Sequence, residues 1–538
     1  MKPKIQTLLQ WSSDNGLRLN SSLQIRTNDA NDSEIAVFSN APINKNEIVA
    51  SIPKAAILSV RSCALVYKIP SVPYGLGAQL ALSLALCYEL AQGTVSRWHG
   101  YLQSLPSSMV PIALLWDAHD AFDADADGEE ANCWIVGTEV ERALRSEENQ
   151  NPLDEIRQYY YSVARPLLPE ACTISHFLYA YSLVSSRAFM VDAYHGLSMV
   201  PIADAFNHIT ENHVHLECDY DVCPVCGSVA ECPHDRDDVP PSSSEAMDWQ
   251  SSSVLSVPDT CDMVANRPIP PLSEVFNTYG ARRSNASLLA WYGFALDGNE
   301  NDTVGWDFVE VAQTLQDGGS PSAQLSEQSY KKVLHAWLST LGSMVADDSR
   351  LVFRPDLDDT DQRNFAGPST VLCINSDAQM SEYLWVYLAV RAAFETADSR
   401  NASDLLQETL GSEDTERLVA LLGSVMDEQV HLEKALEAEN GEDIDVDTDD
   451  RLDNESKNRS HRILSRIADL AIKLCQHRIS SIGKHPDLST AQLGDALDGI
   501  PEGKPKTRLA LAQVLAERSI LEGCQTGWQE LRDTLPEA

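Results

Sequence analysis

The sequence predicts an α+β protein with a mixed α/β front half and an all-α back half. Between residues 35 and 60, apolar and polar residues alternate in short runs broken by turn residues, which indicates small strands. Apolar residues recur at helical spacing from Leu76 to Leu90 and again from Leu153 to Val184. From about Ser326 to the end, the pattern is almost entirely helical. We therefore expect helices to interrupt a β region in the front half of the chain and to form the back half.

The individual elements follow from these patterns and their breaks. The helical stretch that begins at Leu153 is interrupted at Pro166 and Pro169, because proline cannot continue a helix. After Met199 the pattern returns to short strands. The helices predicted for the back half are Tyr330–Met344, Glu382–Ala397, Asp414–Glu439, Arg462–Ile482 and Lys506–Gly523.

Length and charge limit the class of protein. A chain of 538 residues implies two or more domains, and 43% hydrophobic residues are typical of a soluble globular protein. The formal net charge of -40 repels nucleic-acid phosphates and anionic membranes and attracts basic protein segments. We expect a monomer with a basic protein partner, and neither nucleic acid nor a membrane. The acidic runs Asp117–Glu130 and Glu437–Glu455 are interpreted as solvated loops rather than binding sites.

The amino terminus and the cysteines predict a cytosolic or nuclear protein. Residues Met1–Gln10 lack the apolar core of a signal peptide, and no run of about 18 apolar residues occurs. The twelve cysteines are scattered, so most are expected to be reduced and buried thiols.

One cysteine cluster is an exception. A Cys-x2-Cys pair, Cys223 and Cys226, is followed by Cys232 and His234, and these four side chains can form a tetrahedral zinc site. The spacing between the pairs is shorter than in common zinc modules. Two interpretations of the cluster therefore stay open: a structural zinc site, and free thiols in a flexible loop.

Three short strings between Ser185 and Phe294 carry the functional signal. Each alone has an ordinary interpretation, such as a strand end and turn at Tyr279-Gly280, but their joint occurrence in this order is specific. The strings are Ser186-Arg187-Ala188-Phe189, Pro201-Ile202-Ala203-Asp204-Ala205-Phe206-Asn207-His208, and Asn277-Thr278-Tyr279-Gly280 followed by Asn285 to Trp291-Tyr292-Gly293-Phe294. Together they resemble the carboxy-terminal part of the SET domain of the Rubisco large-subunit methyltransferase type, which includes ribosomal-protein lysine methyltransferases.

The resemblance implies a SET fold of small curved β-sheets with a pseudoknot, followed by a helical domain that helps to hold a protein substrate. In the pseudoknot, the segment with Tyr279 passes through a loop near Asn207-His208. The implied bounds are a SET domain at residues 20–300, with a helical insert at about 61–180 and a Cys-rich insertion at about 217–260, and a helical domain at 320–538.

The resemblance also implies an S-adenosylmethionine-dependent protein-lysine N-methyltransferase acting on a non-histone protein that is ribosomal or associated with translation. Methyl transfer needs an aligned donor and acceptor and a neutral amine, which an apolar aromatic channel favours. By resemblance, Tyr279 and Tyr292 are catalytic residues. Arg187, Asn207, His208 and Tyr279 hold the cofactor, and Phe189, Asp204 and Tyr292 contact the substrate.

Two departures from the family pattern keep a second hypothesis open. The stretch from Ser33 to Phe38 lacks the Gly-x-Gly of the family's first β-turn. The turn Pro270–Val275 keeps Glu274 but not the usual glycine. Because glycine tolerates positive φ and close ligand contact, its loss favours the alternative of a catalytically silent SET-like protein-binding module.

Overall fold

The front half contains small antiparallel sheets. The computed structural model describes residues 2–27, 35–70, 72, 74–118, 126–145, 152–229, 231–235, 259–316, 325–340, 348–355, 372–397, 411–439 and 454–536. A short helix precedes the first strands, and the strands predicted between residues 35 and 60 are present. The elements are α1 (Pro3–Asp14), β1 (Arg18–Leu19), β2 (Leu23–Thr27), β3 (Ile35–Ser39), β4 (Ile48–Pro53) and β5 (Leu58–Ser59).

The strands that follow the insert return to pair with these first strands. The largest front sheet has the order β1-β4-β9-β8 and is antiparallel throughout, with Ile52 opposite Cys261. A second sheet pairs β2 with β3, and a third has the order β5-β7-β6. The returning strands are β6 (Ala188–Met190), β7 (Leu197–Met199), β8 (Val214–Cys218) and β9 (Thr260–Ala265).

Helices occupy the expected insert. The long α2 is buried nearly all round and packs against α7. A capping box of Thr173 and His176 begins α7, which ends at Arg187 and continues directly into β6. The helices are α2 (Gly75–Gln92), α3 (His99–Leu102), α4 (Ala126–Trp134), α5 (Glu139–Ala143), α6 (Pro152–Tyr159) and α7 (Ile174–Arg187).

The back half also contains a small sheet, which corrects the all-α expectation. Four strands in the order β10-β12-β13-β11 lie among its helices. These strands are too short to show an alternating pattern in the sequence. The elements are α8 (Asn285–Trp291), β10 (Thr303–Trp306), α9 (Phe308–Thr314), α10 (Glu327–Thr340), β11 (Val352–Phe353), β12 (Leu372–Asn375), β13 (Met380–Ser381), α11 (Glu382–Glu395), α12 (Ser412–Glu439), α13 (Asn454–Ile479), α14 (Thr490–Asp498) and α15 (Pro505–Thr534).

Two hydrophobic cores support this architecture. The first surrounds Phe177 and Phe206 in the front half. The second is built around Trp385 and Trp528 in the back half. Helix α8 lies at their junction, because Leu289 belongs to the second core whereas Trp291 packs against the first. The segment that follows α8 is therefore held from both sides.

Nine of the twelve cysteines are buried, as expected, and none of them is paired in the structure; their reduced state stays a prediction. Among the described residues, no helix is both long enough and apolar enough to cross a membrane.

Candidate functional site

Two of the motif strings meet in the structure. Asn277 forms a parallel bridge with His208, in which the Asn277 amide donates to the Asn207 carbonyl at 2.8 Å. The Ile209 amide donates to the Asn277 carbonyl at 3.1 Å. Backbone pairing thus brings Asn207-His208 and Tyr279 together, although about 70 residues of sequence separate them.

Tyr279 is fixed at its backbone and at its hydroxyl. Its amide donates to His208 Nδ1 at 3.0 Å, and its hydroxyl donates to the Phe206 carbonyl at 3.2 Å. The His208 and Tyr279 rings stack with centroids 5.2 Å apart. The phenol therefore has a defined orientation.

The other predicted tyrosine lies against the same ring. Tyr292 stacks on Tyr279 at 5.2 Å and 25°, and Phe294 meets Tyr279 edge-on at 6.1 Å. The Tyr292 hydroxyl donates to the Tyr279 carbonyl at 3.3 Å. Gly293 allows this arrangement, because it has φ +81° and a Cβ there would lie 2.9 Å from the Pro111 carbonyl carbon. Three aromatic side chains thus form an apolar wall.

Arg283 completes this cluster and was missed by the sequence reasoning. Its Nε donates to the Tyr279 carbonyl at 2.8 Å, and its guanidinium carbon lies 5.3 Å from the centre of the Tyr292 ring. No spacing or motif distinguishes it from the adjacent Arg282, so its position depends on the fold.

His208 is a neutral imidazole. Burial and, to a smaller extent, the nearby Arg283 charge together lower the pKa of His208 to about 4. Since Nδ1 accepts a backbone hydrogen bond, the ring proton is assigned to Nε2. His208 can therefore donate one hydrogen bond to a ligand while carrying no charge at neutral pH.

Asn207 connects this cluster to the turn that departs from the family pattern. Its amide nitrogen donates to Glu274 Oε1 at 2.6 Å. Leu272 in that turn has φ +60° and is 80% exposed. The backbone thus keeps the left-handed conformation that glycine favours, although leucine occupies the position. The other departure falls on Ser33 and Glu34, which lie outside the described residues.

Arg187 lies at the end of α7 with an unsatisfied donor. Its Nη1 donates to the Asp204 carbonyl at 2.8 Å. Its Nε is buried and has no hydrogen-bond partner within the described parts of the chain. A buried guanidinium N–H without a partner costs free energy unless a ligand accepts it, so Arg187 fits the carboxylate expected there.

Asp204, whose carbonyl accepts the Arg187 hydrogen bond, is itself buried. Its carboxylate accepts a hydrogen bond from the Tyr101 hydroxyl at 2.7 Å. Burial raises the pKa of Asp204 to about 6, although Arg187 and the Tyr101 hydrogen bond act in the opposite direction. Ile202, just before it, has φ +72°, an unusual conformation for a β-branched residue. Contact of Asp204 with substrate stays a prediction.

Phe189 lies on β6, opposite Ser198 of β7, and packs half-buried against the first core. Its place in a lysine channel also stays a prediction.

The four candidate metal ligands converge. One donor atom from each of Cys223, Cys226, Cys232 and His234 lies within 4.8 Å of the others.

Solved structures of SET-domain proteins share the fold of this chain. The chain aligns with the SET domain of LSMT bound to lysine and AdoHcy, with a TM-score of 0.55 and 14% identity over 99% of this chain and 92% of the other. It aligns equally with Rubisco LSMT bound to AdoMet, with a TM-score of 0.53, 14% identity and coverages of 99% and 93%. The predicted SET fold of this type is confirmed.

The sequence relatives indicate a particular type of SET protein. The ribosomal lysine N-methyltransferase 3 of Saccharomyces cerevisiae is 26% identical over 52% of this chain and 60% of its own length. The N-lysine methyltransferase SETD6 of Homo sapiens is 25% identical over 52% of this chain and 53% of its own length. The resemblance to SET-domain lysine methyltransferases is thereby confirmed, and the matches span less than two thirds of each of these relatives. No family model matches the chain.

Proposed function

We propose that this protein is an S-adenosylmethionine-dependent protein-lysine N-methyltransferase. The observation that carries the proposal is the fixed Tyr279, whose hydroxyl, amide and ring are all held by groups of the other motif string. A rigid phenol beside an apolar aromatic wall is suited to position a reacting amine. The lysine methyltransferases among the relatives support this function.

The residues present fit the cofactor. S-adenosylmethionine supplies a methyl group on a positively charged sulfur. The buried Nε of Arg187 would donate a hydrogen bond to its carboxylate, and the Asn207-His208 segment would hold the adenine largely through backbone groups. The aromatic wall of Tyr279, Tyr292 and Phe294 would exclude water from the acceptor amine. Desolvation favours the neutral form of a lysine side chain, which is the form that can accept a methyl group.

The proposed substrate is a basic non-histone protein that is ribosomal or associated with translation, in the cytosol or nucleus. The net charge of -40 supports a basic partner, and the name of the yeast relative supports a ribosomal one. Acidic surfaces attract histones as well, so the experiment must separate the two.

A methyl-transfer assay tests the proposal. Full-length protein is incubated with tritiated S-adenosylmethionine and either ribosomal proteins or core histones, and mass spectrometry locates the methyl group. We expect label on a lysine of a ribosomal or translation-associated protein. Label on histones alone would contradict the substrate, and absence of label on every protein tested would contradict the activity.

The alternative is a catalytically silent SET-like module that binds a basic protein. The leucine at the left-handed position of the Pro270–Val275 turn is the observation that favours it. Such a module would capture the same basic proteins but would neither bind S-adenosylmethionine nor label them.

A further inference from the structure

We propose that Cys223, Cys226, Cys232 and His234 bind a structural zinc ion that fixes the Cys-rich insertion against the turn between β6 and β7. Zinc binding is independent of the proposed function, whereas the consequence for substrate binding depends on it.

The donor atoms of the cluster lie close enough together for one zinc ion to bind all four. The four donor atoms lie within 4.8 Å of one another, and Cys232 Sγ lies 3.5 Å from His234 Nδ1. With Zn–S and Zn–N bonds of about 2.3 and 2.0–2.1 Å, a tetrahedron separates S from N by about 3.6 Å. Three thiols and an imidazole are also the donors that zinc prefers over harder cations.

The backbone around the first pair forms the tight turn that such a site requires. The Gly227 amide donates to the Cys223 carbonyl at 2.8 Å, and the Cys223 amide donates to the Ser228 carbonyl at 2.9 Å. Gly227 has φ +76°, which turns the chain back after Cys226. The two thiols are thus directed to the same side.

Among the described residues of the insertion, apolar burial beside the ligands is limited: Val222 is buried, but the two other valines are not. Val225 and Val229, next to the ligands, are 59% and 54% exposed. Metal coordination can supply the folding free energy of a small segment that lacks a core.

The cluster packs directly on the turn that follows β6. A Cβ on Gly227 would lie 2.9 Å from the Tyr194 ring, so the turn of the cluster rests on that ring. The Ala193 amide donates to the Tyr220 carbonyl at 3.4 Å, and the Tyr220 hydroxyl hydrogen-bonds the Tyr74 hydroxyl at 2.7 Å.

A buried ion pair ties both ends of the insertion to the same turn. Lys54 is 2% exposed and contacts Asp192 and Asp259, each at 2.8 Å, and donates to the Asp219 carbonyl at 3.0 Å. The turn of Asp192 begins two residues after β6, the strand that carries Phe189. An ordered insertion therefore restrains the strand on which the predicted substrate contact lies.

Elemental analysis of the full-length protein tests the metal. We expect about one equivalent of zinc, lost in the Cys226→Ser/Cys232→Ser double variant and retained in the control Cys133→Ser, which replaces an exposed cysteine outside the cluster. S-adenosylmethionine affinity in the double variant reports whether the SET core stays folded. Metal-free protein whose Cys223, Cys226 and Cys232 thiols are freely alkylated under native conditions, or a disulfide among them, would overturn the site.

Kinetics test the consequence separately. In the double variant we expect a several-fold rise in the KM for the protein substrate, with S-adenosylmethionine affinity unchanged. If the wild-type protein contains zinc but the KM is unchanged in the double variant that lacks it, the link to Phe189 would be overturned. An enzyme without activity would contradict the proposed function, and the zinc measurement would still decide the metal site.

Discussion

Tyr279 owes its position to residues from two parts of the chain, the segment that contains Phe206 and His208, and Arg283 just after the tyrosine itself. The Phe206 carbonyl accepts a hydrogen bond from its hydroxyl, and His208 Nδ1 accepts one from its amide. Arg283 Nε donates a hydrogen bond to its carbonyl. The sequence motifs identified the tyrosine and the histidine, because their residue types are characteristic. They did not identify Arg283, because no motif distinguishes it from Arg282, although its contacts with Tyr279 and Tyr292 are local in sequence.

Replacing Tyr279 by phenylalanine should separate catalysis from folding. The variant loses one hydrogen bond to the Phe206 carbonyl, which costs about 1 kcal/mol, and keeps its ring stacking. We expect a fall in kcat on the order of 100-fold with nearly unchanged S-adenosylmethionine affinity and melting temperature. Steady-state kinetics measure the change.

The control is Tyr67→Phe, which alters a tyrosine that is 98% exposed. A near-wild-type kcat for Tyr279→Phe would remove the hydroxyl from the mechanism.

His208 should stay neutral well below neutral pH. Its folded pKa of about 4 lies below the unfolded value of about 6.5, so the unfolded state binds the proton first. His208 therefore contributes a loss of stability as pH falls from about 6.5 towards 4. NMR spectra of histidine-labelled protein test this, because the resonance that disappears in His208→Asn belongs to His208. The chemical shift of that resonance should not change between about pH 8 and 5.5. A titration midpoint near the unperturbed value would show that the ring is solvated and the site is open.

At the scale of elements, long periodic segments were predicted well and short ones were not. The helices α2, α7 and α11 lie close to the predicted ranges, because two or more turns of apolar spacing specify a helix. Strands β10 to β13 have two to four residues each, so their pairing is decided by the tertiary structure.

The first acidic run is partly a structural element, which corrects its interpretation as a solvated loop. Asp127 is 5% exposed and accepts hydrogen bonds from the backbone amides of Lys506 and Thr507 at 2.9 and 3.0 Å. It thereby caps the start of α15. No local pattern could predict a partner that lies about 380 residues away. Residues 119–125 of this run and residues 440–453 of the second run lie outside the described residues.

The turn Pro270–Val275 allows a test of backbone strain. Leu272 has φ +60°, which costs an L-residue about 1–2 kcal/mol, and its exposed side chain gains little from packing. Leu272→Gly removes this strain but adds about 0.5–1 kcal/mol of unfolded-state entropy. We expect a net gain and a rise in melting temperature of roughly 1–2 °C.

Asn46→Gly is the matched control, because Asn46 has φ +67° but asparagine tolerates that conformation. It should gain less than Leu272→Gly. A destabilised Leu272→Gly would show that the turn does not store strain.

At the scale of the molecule, residues of the expected helical insert at about 61–180 are divided between the two hydrophobic cores. Trp116 and Trp134 of the insert pack in the second core with Trp385 and Trp528, whereas Leu84 packs in the first. Sequence patterns indicate which residues are buried, but they do not indicate which other segment buries them. The boundaries 20–300 and 320–538 therefore stay predictions.

The net charge should control substrate capture. A protein of charge -40 attracts a basic partner over long range, and salt screens this attraction within a Debye length of about 8 Å at physiological ionic strength. We expect the association rate of a basic substrate to fall steeply with added NaCl in stopped-flow measurements, with a smaller effect for a charge-neutral variant of the substrate. A flat salt dependence would show that the acidic charge does not face the partner.

Calorimetric titration of the full-length protein tests whether the paired motif strings form an S-adenosylmethionine site. We expect saturable binding at about one equivalent, weakened in Arg187→Ala because this variant lacks the buried Nε that would donate to the carboxylate. Ligand that binds the folded state should also raise the melting temperature. A folded protein that shows neither binding heat nor a shift in melting with S-adenosylmethionine would contradict the enzyme and leave the silent binding module.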